Sequence, residues 1–191
     1  MAESLYELWG KSNPEFELRF EPLLYQYCDY RKGYNEYTES KAKILGAGYE
    51  LYIVAFFIGL YANCCKPLNQ DPTKRKGFGH YVMYWGNIEK RNGREPYPGL
   101  REYIFMALIA RTDIDFIALE KGEIPLQRAV SELKKKMEGY ANYGFDYIQD
   151  KLEEDSTWLS RNSSLLNTFL AFTKEKTVEK DGENDEMPDE L

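Results

Sequence analysis

Apolar residues recur at helical spacing through the second half of the chain. Within 100–110, apolar residues recur every three to four positions. The same spacing of apolar residues returns after Pro125 and continues to about Glu154. Pro125 fits the first turn of this long helix, because a proline at that place loses no helical hydrogen bond. The apolar positions of 158–172 predict a last helix.

The most apolar stretch lies in residues 40–65 and predicts a helix that Pro67 ends. Its apolar side chains surround most of the circumference, which is typical of a helix buried on several sides. A membrane span is the alternative, because 46–65 has about the required length and only Glu50 interrupts it. Three glycines, Asn63 and the charged remainder of the chain favour a buried central helix.

Near the amino terminus the apolar residues instead recur at every second position. Phe16, Leu18 and Phe20 alternate with charged residues, which predicts one short N-terminal strand or an extended arm. A strand needs a pairing partner, and the rest of the sequence offers no clear one. The fold class expected is therefore mainly α, an irregular bundle of about five helices around the buried central helix at 40–65.

Charge separates a tail from the body of the chain. Residues 175–191 hold eight acidic side chains and two lysines and lack periodic apolar positions, so we expect a disordered acidic tail there. The whole chain carries −7, which leaves the body near neutrality. Residues 1–174 have the length and hydrophobic content of a single helical domain.

Cysteine and aromatic content indicate how the core is stabilised. The chain has 16 Tyr and 10 Phe, enough for a large core without metal or disulfide bonds. Of its three cysteines, Cys64 and Cys65 are adjacent, which disfavours pairing between them. Reduced thiols and an amino terminus without a secretory pattern predict a cytoplasmic protein.

Residues 66–101 form a basic segment in this near-neutral body. Three cations precede Gly77 and Gly79, so side chains and backbone N–H groups could together bind a phosphate. The spacing is not that of a P-loop. Tyr81 and Tyr84 nearby add stacking groups for nucleic acid, and a solvated loop is the alternative. The candidate anion or nucleic-acid residues are Lys74, Arg75, Lys76, His80, Lys90, Arg91 and Arg94.

A tyrosine cluster follows the predicted strand. Tyrosine provides a large contact area at a small entropy cost, so the cluster is a candidate partner surface. The alternative is that these rings pack at a boundary between helices. The candidate residues are Tyr25, Tyr27, Tyr30, Tyr34 and Tyr37.

Candidate catalytic groups are few. His80 is the only histidine, which excludes a multi-histidine metal site within one chain. Asp113, Asp115 and Glu120 belong to the densest carboxylate group of the body, but on a helix the two aspartates would point about 160° apart. A capping Asp113 and a solvated Asp115 are the simpler interpretation. We therefore predict no catalytic residue, no metal and no cofactor.

Three functions are compatible with these patterns. The favoured one is a non-catalytic protein-interaction subunit or adaptor of a larger intracellular complex. The first alternative is a nucleic-acid-associated factor that uses the basic segment 66–101. The second is a small enzyme that uses His80 or the group of Asp113, Asp115 and Glu120. A protein partner is expected, nucleic acid is a second option, and a membrane is not expected.

Overall fold

Two long helices lie at the centre of the structure, a computed structural model that describes residues 3–28, 30, 45–87, 95–161 and 163–183, with side chains to residue 174. The mainly α prediction with a short N-terminal strand is confirmed. The elements of the described residues are α1 (Leu5–Gly10), β1 (Glu15–Glu17), α2 (Glu21–Tyr27), α3 (Gly48–Ala62), β2 (Arg75–Gly77), α4 (Leu100–Ile109), α5 (Phe116–Glu120), α6 (Leu126–Glu154) and α7 (Ser164–Glu183).

Helices α3 and α6 pack with their backbones almost in contact. A Cβ atom built on Gly59 of α3 would lie 2.1 Å from the carbonyl oxygen of Tyr140 in α6. A second close approach joins Ala55 and Gly144, so residue numbers rise along one helix as they fall along the other. The helices are therefore antiparallel, and glycine at these positions permits their close approach.

Helix α3 is the buried central helix predicted at 40–65, but it is shorter. Residues 40–44 lie outside the described part of the chain, and 45–47 are not helical. The predicted end near Cys65 is wrong by three residues, because Asn63 adopts a left-handed conformation with φ 55° and ends the helix. Within the described residues, no helix is long and apolar enough to cross a membrane.

The predicted strand exists, and it pairs with the basic segment. In antiparallel register Glu15 lies opposite Gly77, and Glu17 lies opposite Arg75. The strand β1 covers three residues, and Leu18–Phe20 form a 3₁₀ turn instead of continuing it. Beyond the strands, the Phe78 N–H donates to the Pro14 carbonyl at 2.8 Å, so one more backbone hydrogen bond continues the pairing.

The long helix predicted from Pro125 to Glu154 is confirmed as α6, with Pro125 as its N-cap residue. Helix α7 continues to Glu183, so residues 175–183 are helical where the sequence predicts disorder. Lysine and glutamate are good helix formers even without an apolar face, which explains the difference. The remaining tail, 184–191, lies outside the described residues.

Aromatic rings fill the space between α3, α6 and the strand. Tyr52 of α3 is fully buried, and its ring contacts those of Phe78, Trp85 and Phe145 at centroid distances of 5.3 to 5.7 Å. Its hydroxyl donates to the carbonyl oxygen of Glu15 at 3.2 Å. The core predicted from the aromatic content therefore also anchors the strand.

A backbone hydrogen bond joins Gly86 and Tyr97, which both follow β2 in the chain. The Tyr97 N–H donates to the Gly86 carbonyl at 3.0 Å, and the Tyr97 hydroxyl donates to Glu50 at 3.2 Å. Gly86 has φ +78°, a conformation that favours glycine. Burial and the nearby Glu50 carboxylate raise the pKa of Tyr97, so this hydroxyl stays a donor.

Candidate functional site

A groove of about 390 Å³ lies between α1 and the 3₁₀ turn Val82–Tyr84, and we call it the α1 groove. The chain places the two elements together because the Val82 N–H donates to the carbonyl of Ser12, just after α1, at 3.2 Å. The residues that line the groove are Glu3, Tyr6, Glu7, Trp9, Gly10, Lys11, Val82, Met83, Asn87 and Arg101.

Three large apolar side chains are exposed on the 3₁₀ turn and the residue before it. Tyr81 is 51%, Met83 37% and Tyr84 53% exposed, and Met83 also lines the groove. The rings of Tyr81 and Tyr84 lie 6.4 Å apart between centroids. Below them, Val82 and Trp85 are fully buried, which fixes the turn on the core.

The charged groups of the α1 groove are mostly engaged with one another. Lys11 pairs with Glu3, and Glu7 completes a capping box with Ser4 at the start of α1. The backbone N–H of Ser4 lowers the pKa of Glu7, which is thus an anion at neutral pH. Arg101 donates from Nε to the carbonyl of Pro98 at 3.1 Å and forms no ion pair with a described carboxylate.

A larger cleft of about 750 Å³ lies between the α4–α5 corner, α6 and the segment after α3, and we call it the Arg111 cleft. Its apolar wall includes Pro67, Leu68, Ile114, Ile124 and Ala129. The charged residues that line it are Arg75, Arg111, Asp113, Asp115, Arg128, Glu132, Lys135, Lys136 and Glu138.

Cys65 lies at one end of the Arg111 cleft. Burial raises the pKa of its thiol, and the nearby Lys136 opposes that rise. The thiol is therefore neutral at pH 7 and is not an activated nucleophile. No group of His, Cys, Asp and Glu side chains among the described residues is arranged to hold a metal ion.

The basic segment is partly used inside the fold. Arg75 and Lys76 of β2 are half-buried, where they pair with Glu15 at 3.4 Å and Glu21 at 2.7 Å. These two cations therefore have carboxylate partners, unlike those of an open anion site. Lys74 and His80 are exposed. The other predicted members, Lys90, Arg91 and Arg94, lie outside the described residues.

The tyrosine cluster is divided between core and surface. Tyr27 and Tyr30 are buried, 8% and 4% exposed, and belong to the aromatic core, so they offer no partner surface in this structure. Tyr25 is 40% exposed, and its ring contacts that of Tyr30 at 5.4 Å. Tyr34 and Tyr37 lie outside the described residues.

The carboxylate group of the α4–α5 corner has a capping role. Asp115, not Asp113, caps α5 and accepts from the N–H groups of Ile117 and Ala118 at 3.0 and 2.9 Å. The predicted capping by Asp113 is wrong, because the helix begins at Phe116. Both aspartates line the Arg111 cleft, whereas His80 and Glu120 line neither cavity described above.

Sequence reasoning did not single out Met83, Arg111 or Lys136. Met83 is exposed while the neighbouring Val82 is buried because both lie in the 3₁₀ turn, and Arg111 and Lys136 are far apart in the chain. Arg111 and Lys136 line one cleft because α4 packs against α6. The chain matches no known protein family, no curated protein and no solved structure.

Proposed function

We propose that the protein is a non-catalytic interaction subunit that binds a partner protein at the α1 groove. The observation that carries this proposal is the exposure of Tyr81, Met83 and Tyr84 beside an apolar groove lined by Tyr6 and Trp9. Exposed large apolar side chains next to one another are typical of protein interfaces, and Tyr, Met and Arg are enriched there.

The groove has room for one or two large apolar side chains of a partner segment. Its own acidic and basic groups are largely paired, so the gain on binding comes from burying apolar surface. Arg101 is free of carboxylate partners among the described residues, so it adds a polar contact at the edge. The expected occupant is a protein segment with a large apolar anchor and an acidic or carbonyl group beside it.

Photocrosslinking tests this proposal. A photoreactive phenylalanine analogue replaces Tyr84 in the full chain, and a matched variant carries it at Tyr103, which is 64% exposed on α4. In native extract we expect a discrete adduct with a second protein at position 84 and none at position 103. Met83→Asp in the Tyr84 variant should abolish the adduct while circular dichroism remains unchanged.

Three results would contradict the proposal. Equal adducts at both positions would indicate nonspecific contact, and an adduct that survives Met83→Asp would place the contact outside the groove. An adduct of exactly two copies of this chain would make the occupant a second copy instead of a partner protein. Identification of the adduct by mass spectrometry separates these cases.

The alternatives have less support. A nucleic-acid role would use the basic segment, but Arg75 and Lys76 there already have carboxylate partners. Exposed Tyr81 and Tyr84 would be its stacking groups. Binding of labelled RNA at low salt that Tyr84→Ala abolishes would favour it. A small enzyme would use His80 or the group of Asp113, Asp115 and Glu120. His80 and Glu120 line neither cavity described here, and Asp115 is engaged as the cap of α5. A cytoplasmic location within a complex remains part of the proposal.

A further inference from the structure

The Arg111 cleft contains cations that have no carboxylate partner among the described residues. Four basic residues around it pair with acids: Lys66 with Asp146, Arg75 with Glu15, Lys134 with Glu138 and Lys135 with Glu132. Arg111, Arg128 and Lys136 line the cleft without a carboxylate of the described residues within ion-pair distance, and of these Arg111 contacts Asn63 and Lys136 contacts Tyr140.

Arg111 is oriented by a residue in an uncommon conformation. Its Nη1 donates to the side-chain oxygen of Asn63 at 2.9 Å, and Asn63 is the left-handed residue that ends α3. Asparagine tolerates this conformation better than most residues, and here it also supplies the acceptor. One nitrogen of the guanidinium is thereby held in place, and the others remain available to a ligand.

Lys136 of α6 also lines the Arg111 cleft. Its Nζ lies 5.7 Å from the centre of the Tyr140 ring. Arg111 acts on the same tyrosine: burial raises the pKa of Tyr140, and the charge of Arg111 opposes that rise. Both cations therefore lie near Tyr140, and Cys65 lines the same cleft.

The rest of the cleft indicates what else the ligand carries. The wall formed by Leu68, Ile114 and Ile124 is apolar, and the volume of about 750 Å³ is that of a small-molecule site. Asp115 is committed to capping α5, while Asp113 accepts no hydrogen bond from a described residue. A ligand with one anionic group and an apolar body, with a donor for Asp113, matches this lining.

We propose that the Arg111 cleft binds a small molecule through a phosphate or carboxylate group, which Arg111 and Lys136 hold. The planar guanidinium presents two parallel N–H donors that suit either anion, and the ammonium adds a second charge. The chemistry shared by the two anions is recognised at this end, and the apolar wall holds the body of the ligand. This site is separate from the α1 groove and does not depend on the function proposed there.

The simplest probes are inorganic phosphate and acetate, each titrated into the full chain at constant ionic strength with chloride as the reference. We expect saturable changes in the NMR signals of Thr112, Cys65 and the Arg111 side chain. Saturation by phosphate alone identifies a phosphate site, and saturation by acetate as well identifies a general site for oxyanions. Both results support the proposal.

Four variants test the residues. Arg111→Gln and Lys136→Gln should each weaken binding by about tenfold, as expected for loss of a charge-assisted hydrogen bond. Lys121→Gln removes an exposed cation that lines neither cavity and should change nothing. Asn63→Gly keeps the left-handed backbone, which glycine adopts readily, but removes the acceptor that orients Arg111. It should weaken binding severalfold with unchanged stability.

Responses to both phosphate and acetate that rise linearly without saturation would overturn the proposal. Equal affinity in the wild type, Arg111→Gln and Lys136→Gln would do the same. If Lys121→Gln weakens binding as much as they do, the effect is one of net charge and the site is also overturned. Circular dichroism and the thermal midpoint of each variant confirm that loss of binding is not loss of fold.

Discussion

Asn142 on α6 donates from its side-chain nitrogen to the Glu17 carboxylate at 3.0 Å, across 125 positions of the chain. Both side chains are buried, 1% and 8% exposed. The same nitrogen also lies within hydrogen-bond distance of the Pro67 carbonyl, at 3.1 Å. One amide thus joins the N-terminal strand to the segment after α3 and the long helix, and the last two of these line the Arg111 cleft.

Replacement of Asn142 by Ala should therefore be strongly destabilising. It leaves a buried carboxylate oxygen and a carbonyl with fewer donors, which costs about 3 kcal/mol of the free energy of unfolding. Urea unfolding measures the loss. Asn167→Ala on α7, where the side chain is exposed, is the matched control and should change stability by less than about 0.5 kcal/mol. Equal effects of the two changes would contradict a structural role for the Asn142 contact.

The close approach of α3 and α6 makes a second prediction. A Cβ on Gly144 would lie 1.8 Å from the Ala55 carbonyl oxygen, which is backbone and cannot rotate away. Gly144→Ala should cost about 3 kcal/mol, because the helices must separate to admit the methyl group. Gly99→Ala meets nothing within 4 Å and should be neutral or slightly stabilising. Thermal and urea unfolding of both variants provide the comparison.

Stability should depend on pH through Asp146. Partial burial acts to raise the pKa of Asp146, but hydrogen bonds from Arg19 and Lys66 outweigh it, so the pKa is lowered. A carboxyl with a lower pKa in the folded state stabilises the protein above its unfolded pKa, and this contribution is lost as pH falls through the folded pKa. The stability deficit of Asp146→Asn relative to wild type should thus shrink as pH falls below about 4.

Glu138 provides a control, because its contribution to stability should depend on pH in the opposite direction to that of Asp146. Its pKa is raised, chiefly by burial, so the folded state takes up a proton more readily than the unfolded state. Wild type should therefore gain stability relative to Glu138→Gln as pH falls through that raised pKa. Urea unfolding at several pH values between about 7 and 3 measures both differences. Parallel pH dependence of the two variants would contradict these assignments.

Cys65 should react slowly with alkylating reagents at neutral pH. Burial raises its pKa and Lys136 opposes the rise, so Lys136→Gln should reduce the thiolate fraction and slow alkylation further. Lys135→Gln, which removes the neighbouring cation that pairs with Glu132, should leave the rate unchanged. Iodoacetamide labelling in a Cys64→Ser background, followed by mass spectrometry, measures the rates. A faster reaction in Lys136→Gln than in wild type would contradict the prediction.

Much of the helical architecture follows from the sequence, because apolar periodicity is a local property. The long helix α6 begins and ends where Pro125 and the last apolar positions indicate. The end of α3 could not be predicted as well, since Asn63 takes a backbone conformation that hydropathy does not encode. The strand partner was equally hidden, because Arg75–Gly77 lacks the alternation by which a strand is recognised.

The candidate sites were harder to predict, because they depend on contacts between distant residues. The charge of Arg75 and Lys76 was visible in the sequence, but not their partners Glu15 and Glu21, which strand pairing and the following helix bring near. Arg111 and Lys136 likewise form no motif and become neighbours of Tyr140 only through packing. Composition indicates which charges exist, whereas tertiary structure decides which of them remain unpaired.

The backbone hydrogen bond between Gly86 and Tyr97 has a practical consequence for engineering. The two residues are joined by their own backbone hydrogen bond, and Tyr97 is tied to Glu50 of the central helix. Sequence introduced between them therefore starts and ends at one fixed point on the core. Each doubling of the length of a flexible loop costs only about 0.6 kcal/mol of closure entropy. A fluorescent or affinity tag inserted there would be held at a fixed place on the core.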